Sequence, residues 1–195
     1  IRTLELLSVF DMLCLVILIV IQTLAAMKMA VLNKLLEQRA YTDTHTGLPN
    51  KSACEELLNN KETVGKHTAC IMFDLNNLKI INDTKGHLMG DQLILNFARL
   101  LRNVIPQKDF VGRYGGDEFM VVIYNTSKTE IEDILKQLSR EKDRLNSSGN
   151  NMPIDYACGW AISDADSECT IQMLLDKADY YMYENKQAYK KSKKS

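Results

Sequence analysis

Sixteen consecutive residues, Met12 to Met27 (MLCLVILIVIQTLAAM), carry no charge, and only Gln22 and Thr23 interrupt the hydrocarbon. As a helix they would rise about 24 Å; extension back to Leu6 gives about 33 Å, enough for a bilayer core of roughly 30 Å. That extension admits only Ser8 and Asp11. No small-residue cleavage site of the kind that ends a signal peptide follows, and neither Gly nor Pro occurs from Ile1 to Thr46, so the helix is expected to run on as a stalk. The reading is a transmembrane helix in residues 1–27, spanning about 6–27, then a helical signalling linker over 28–40. Asp11 is the costly residue in this reading, and it keeps open the alternative of a signalling helix in a coiled coil. Lys28, Lys34 and Arg39 follow the span and only Arg2 precedes it, which predicts an inner (cytoplasmic) membrane location with the rest of the chain in the cytoplasm. Leu24, Met27, Val31, Leu32 and Leu35 make a short packing stripe through which two stalks could pair. A chain that starts with Ile1 rather than Met is expected to be a piece of a longer protein.

From Tyr41 onward the pattern changes to alternating strand and helix periods. Hydrophobic residues at 46% and charged residues at 25% suit one packed domain, 41–195, and exclude a disordered or fibrous chain. A formal net charge of -1 gives no field for collecting nucleic-acid phosphates, so no nucleic-acid partner is expected. The five cysteines are widely spaced with no CxxC, which predicts reduced thiols rather than disulfides or a zinc site. Thr68–Leu75 is a continuous apolar run ending in an acid, read as a buried central strand with Asp74 at its carboxyl end. Leu88–Val104 is helical by spacing. Strands over Phe110–Tyr114 and Glu118–Tyr124 flank Gly115-Gly116, which predicts a hairpin whose glycines are free to take positive φ. Helix 129–145, a loop over Asn146–Pro153, strand Ile154–Ile162 and helix Thr170–Tyr189 follow. The order predicts an α+β fold, helices covering a largely antiparallel sheet.

Asp74 and Asp117 would reach one edge of the sheet on neighbouring strands. Two carboxylates so placed can share a Mg2+ that also bridges phosphate oxygens, as phosphoryl and nucleotidyl transfer require. Alone, each acid reads more readily as a solvated strand-end cap than as a ligand.

Arg113-Tyr114-Gly115-Gly116-Asp117-Glu118-Phe119 resembles the GGDEF signature of diguanylate cyclases, and four further segments agree in order. Asp43-Thr44-His45-Thr46-Gly47-Leu48-Pro49-Asn50-Lys51 resembles the family's D-x-L-T-G-L-P-N-R motif. Phe73 to Asp83 resembles D-I-D-x-F-K-x-I-N-D, Gly86-His87 with Gly90-Asp91 resembles G-H-x-x-G-D, and Lys177-Ala178-Asp179 through Met182-Tyr183 and Lys186 resembles K-A-D-x-x-M-Y-x-x-K. The resemblance spans about residues 41 to 190. It implies a ferredoxin-like sheet akin to the palm of nucleotide cyclases and polymerases, and condensation of two GTP into cyclic di-GMP and pyrophosphate by a homodimer.

Carried over residue by residue, the resemblance implies Mg2+ (Mn2+ as the alternative) on the carboxylates of Asp74 and Asp117 and the carbonyl of Leu75. Asp117 would also act as base toward the ribose 3'-hydroxyl, with Glu118 beside it as a second carboxylate. Lys79 would neutralise charge developing on the phosphates. Asn82 and Asp91 would read guanine, His87 would line its pocket, Gly115 and Gly116 would border the nucleotide, and Lys186 with Lys190 would hold the triphosphate. The sequence departs from the pattern at His45, Lys51, Asn76 and Lys190, so the opening motif and the triphosphate clamp match less well than the metal site. Many members carry an inhibitory R-x-x-D site for the product; here Pro106 stands at the arginine position and only Asp109 remains. The resulting expectation is a membrane-tethered diguanylate cyclase without that site. The alternatives are a silent GTP-binding module acting on a partner protein, and a cyclase making a mixed purine dinucleotide.

Overall fold

The computed structural model describes residues 2–60, 64, 67–148, 153–163 and 169–192. It divides into two compact units, Ile1–Ala40 and Tyr41–Ser195. The first is carried by α1 (Arg2–Tyr41), one uninterrupted helix. From Ser8 it is long and apolar enough to cross a membrane, and none of that window is buried by protein.

In the second unit, the Asn50 side chain caps α2 (Lys51–Asn59) by accepting from the Ala53 amide at 3.1 Å. The apolar run forms β1 (Ala69–Leu75), buried at every position. The chain then turns through Asn77 in the left-handed region (φ 64), a conformation asparagine tolerates, into α3 (Leu78–Lys85). Gly86, at φ 86, both ends α3 and begins α4 (His87–Val104), a corner closed to residues with a Cβ. β2 (Phe110–Arg113) and β3 (Glu118–Ile123) form the expected hairpin. Ser127 and Glu130 form a reciprocal capping box at the start of α5 (Lys128–Ser147). β4 (Tyr156–Ile162) and α6 (Ile171–Ser192) complete the unit.

The sheet order is β2-β3-β1-β4, with every neighbouring pair antiparallel. β1 and β3 are the two inner strands, and both are apolar on both faces. Ala69, Ile71, Phe73 and Leu75 face α4 and α5, where Phe97, Phe119 and Tyr156 join Phe73 in an aromatic cluster with centroids 5.0 to 5.8 Å apart. Cys70 and Met72 face α2 and α6. Alternation puts Asp74 on that second face.

On β4 the residues toward α6 are small: Ala157, Gly159 and Ala161. A Cβ at Gly159 would fall 2.1 Å from the Met182 amide nitrogen and 2.3 Å from the Ala178 carbonyl oxygen, so the helix backbone is pressed onto the strand there. Asn185 adds a 2.7 Å hydrogen bond to the Cys158 carbonyl, and Tyr189 donates to Asp155.

Two expectations change. Residues 51–59 and 78–85 are helices that the spacing did not separate out. Gly115 and Gly116 do not use positive φ; Gly47 and Gly86 do. None of the five cysteines is in a disulfide, and Cys54, Cys70 and Cys169 are buried; burial pushes the Cys54 thiol up to about 12 and that of Cys158 to about 11. Of the expected loop, residues 149–152 lie outside the described residues.

Candidate active site

β1 delivers Asp74 opposite Glu118, the first residue of β3, and antiparallel pairing sets both on one face. The Leu75 amide donates to the Asp117 carbonyl at 2.9 Å, tying the hairpin tip to the end of the central strand. Asp74 is buried, its side chain 9% exposed. Its Oδ2 receives the Lys186 ammonium at 2.6 Å, and its Oδ1 is buried with no partner among the described residues. These groups border a cavity of about 360 Å3, whose wall also carries Glu118, Asp176, Asp179 and Tyr183.

Four acids and one lysine on one wall leave an excess of negative charge. Burial, and then repulsion from Asp117, Asp74 and Asp179, holds the Glu118 carboxyl above the usual range, while Lys186 pulls the other way. Glu118 also explains the first glycine. A Cβ at Gly115 would fall 2.6 Å from Glu118 Oε2, and the Gly115 and Tyr114 amides both donate to the Glu118 carbonyl. Around Gly116 the space is open.

Arg113 braces this turn. Its guanidinium pairs with Asp43 at 3.1 Å and donates to the Gly116 carbonyl at 2.9 Å. Asp43 in turn accepts from the amide and hydroxyl of Thr46, both at 2.7 Å. Burial opposes ionisation of Asp43, but these hydrogen bonds and the Arg113 charge together hold its carboxyl below the usual range. The opening motif is thus a clamp on the diglycine turn. Nothing in residue spacing joins Asp43 to Gly116; only the match of both segments to one family hinted at it.

The remaining candidates lie on α3 and α4. Asn82 sits inside α3 rather than capping α4, and its Oδ1 lies where a Cβ on Gly90 would be, 1.9 Å from that point, so the amide rests on the α4 backbone beside Asp91. His45, one of the departures from the pattern, reaches the Asp91 carbonyl at 2.9 Å, a contact the sequence did not suggest. Lys79, His87 and Asp91 are exposed, and their side chains make no hydrogen bond or ion pair among the described residues. Lys190 lies on α6, but its side chain is outside the described residues. The structure therefore gathers Asp74, Leu75, Gly115, Gly116, Asp117, Glu118 and Lys186 at one end of the sheet, and sets Asn82 with Asp91 on the neighbouring helix pair.

Among the described residues, no three His, Cys, Asp or Glu side chains are placed to hold a metal ion unaided. The orphaned Oδ1 of Asp74 beside the Asp117-Glu118 tip nonetheless suits a hard divalent cation, whose remaining positions a bound phosphate or water would fill.

Residues 40–192 match the family described as "Diguanylate cyclase, GGDEF domain". The chain is 32% identical over 164 residues to the signaling protein YkoW of Bacillus subtilis, covering 80% of this chain and 20% of that protein. It is 31% identical over 156 residues to the diguanylate cyclase DgcP of Pseudomonas aeruginosa, covering 77% of this chain and 23% of that one. The chain thus spans about a fifth of the length of these relatives. Other relatives are named cyclic di-GMP phosphodiesterases, PdeR of Escherichia coli among them. The coiled coil and GGDEF domain of DgcB from Caulobacter crescentus, solved with c-di-GMP, superimposes with a TM-score of 0.73 at 22% identity, covering 86% of this chain and 91% of that one. That likeness bears on the fold alone. With the family match running from the foot of the long helix to the last residue of α6, the chain belongs to the GGDEF-domain diguanylate cyclase family.

Proposed function

We propose that the chain is a membrane-tethered diguanylate cyclase that joins two GTP into cyclic di-GMP and pyrophosphate. The observation that carries this reading is the intact pair Asp74 and Asp117-Glu118 at one sheet end, with Lys186 on Asp74 and open space over Gly116. Enzymes of this family use a divalent metal, and Asp74, Asp117 and the Leu75 carbonyl would hold it here, as Mg2+ or Mn2+. When bound it supplies charge neutralisation on the phosphates and polarises the reacting phosphorus.

The chain's own groups do the rest. Asp117 takes the proton from a 3'-hydroxyl as that oxygen forms its bond to the α-phosphorus of the second GTP, and pyrophosphate leaves. Lys79 offsets the charge that develops, and Lys186 with Lys190 holds the triphosphate. Asn82 and Asp91 offer an amide and a carboxylate to guanine's O6 and N1/N2 groups, with His87 at the pocket's rim. One domain holds one nucleotide, so turnover needs two domains face to face. α1 would keep partners in one membrane and raise their effective concentration.

The test is incubation of the full chain in detergent with Mg2+ and GTP. Cyclic di-GMP in the mass spectrum and a specific activity that rises with protein concentration are expected. The second reading, a silent GTP-binding module, draws on the phosphodiesterase-named relatives and gives bound GTP with no product.

A further inference from the structure

The Lys186-Asp74 contact has a strict geometric setting. The ammonium sits 2.6 Å from Oδ2 of a carboxylate that is 9% exposed, and among the described residues it is the one cation on a wall that also bears Glu118, Asp176 and Asp179. An isolated carboxylate so buried is costly, and removing its partner leaves that cost uncompensated. A cation beside Asp74 therefore offsets the cost of burying its charge. The backbone that presents Lys186 is fixed by the close approach at Gly159 and by the Asn185 bond to the Cys158 carbonyl. The lysine stem is flexible, and its side chain is 27% exposed, so the ammonium can leave while the helix stays.

We propose that Lys186 is a resident counter-cation that occupies Asp74 until nucleotide arrives, and that this exchange makes metal and nucleotide bind together. The proposal deepens the functional reading above and rests on it for the identity of the nucleotide. A divalent ion alone, even at the orphaned Oδ1, would share one carboxylate with the ammonium held on Oδ2 and be opposed by its charge, gaining the full charge of Asp74 only by displacing Lys186. A triphosphate gives the ammonium new acceptors a side-chain swing away, and Asp74 is released to the metal. By linkage, the same exchange tightens nucleotide binding when metal is present.

The experiment is a titration of Mn2+ into the full chain in detergent without nucleotide, read by electron paramagnetic resonance. Lys186→Met is expected to bind Mn2+ about tenfold more tightly than the wild-type chain, within the usual range of coupling factors. Adding a non-hydrolysable GTP analogue is expected to tighten Mn2+ in the wild type by more than in the variant. Lys186→Gln, which keeps a hydrogen-bond donor but no charge, should behave like Lys186→Met and guards against loss of fold. Asp74→Asn in the Lys186→Met background is expected to abolish the gain. Unchanged or weaker nucleotide-free Mn2+ binding in both lysine variants overturns the proposal, as does a gain that survives Asp74→Asn. The metal titration involves no turnover, so a failure to make product from GTP would sink the functional reading without touching this result.

Discussion

Asp117 stands on a half-buried hairpin tip and contributes little to packing, so its loss separates chemistry from folding. Asp117→Ala is expected to abolish cyclic di-GMP formation while changing the unfolding free energy by less than about 0.5 kcal/mol, checked by product assay and urea titration. Asp43 behaves oppositely. Its folded carboxyl lies below the ordinary 3.8, so it contributes stability above that value and loses it as pH falls through the folded one. Asp43→Asn is expected to cost about 1 kcal/mol near neutrality and to flatten the acid limb of the stability-pH curve; an unchanged acid limb would show that the Arg113 clamp is idle. At this scale the sequence was legible where an element itself displays the residue. Asp74 at a strand end and Asp117 after two glycines could be read directly. Contacts between remote segments could not: His45 to Asp91 and Arg113 to Asp43 depend on how the chain folds.

The elements were legible where hydrophobic period and length agreed. β1, α4 and α6 follow their patterns to within three residues, whereas α2 and α3 are eight or nine residues long and lie close to turn residues. Over so few turns a helical period is hard to tell from a loop. The diglycine was misjudged for a different reason: glycine signals either positive φ or close approach, and only coordinates show that Glu118 fills the space beside Gly115. Between elements, Phe97 of α4 is the keystone, in ring contact with Phe73, Phe119 and Tyr156 and fully buried. Phe97→Ala is expected to cost about 3–5 kcal/mol, and Phe97→Leu much less, measured by chemical denaturation. Equal losses would mean that the aromatic ring geometry itself, rather than filled volume, holds the sheet to α4.

For the whole molecule, control by product is expected to be missing at the inhibitory site. Pro106 offers no donor, and the Asp109 carboxylate accepts the Tyr124 amide at 3.1 Å, making it part of the β2-β3 framework. Cyclic di-GMP added to the turnover assay is expected to give no non-competitive inhibition; tight binding lost on Asp109→Ala would contradict this. Regulation then falls to whatever reaches the domain through α1.

Burial of the domain's thiols makes such input observable. Cys54, Cys70 and Cys169 are shut inside the domain and the Cys158 thiol is raised to about 11, which leaves Cys14, exposed on α1, as the thiol open to the surroundings of that helix. The native chain is therefore its own single-site labelling variant. In lipid vesicles a charged, water-borne maleimide should find Cys14 sheltered in hydrocarbon, and in denaturant it should modify all five cysteines. Rapid labelling of Cys14 in intact vesicles would place α1 in water and overturn the membrane-tethered reading.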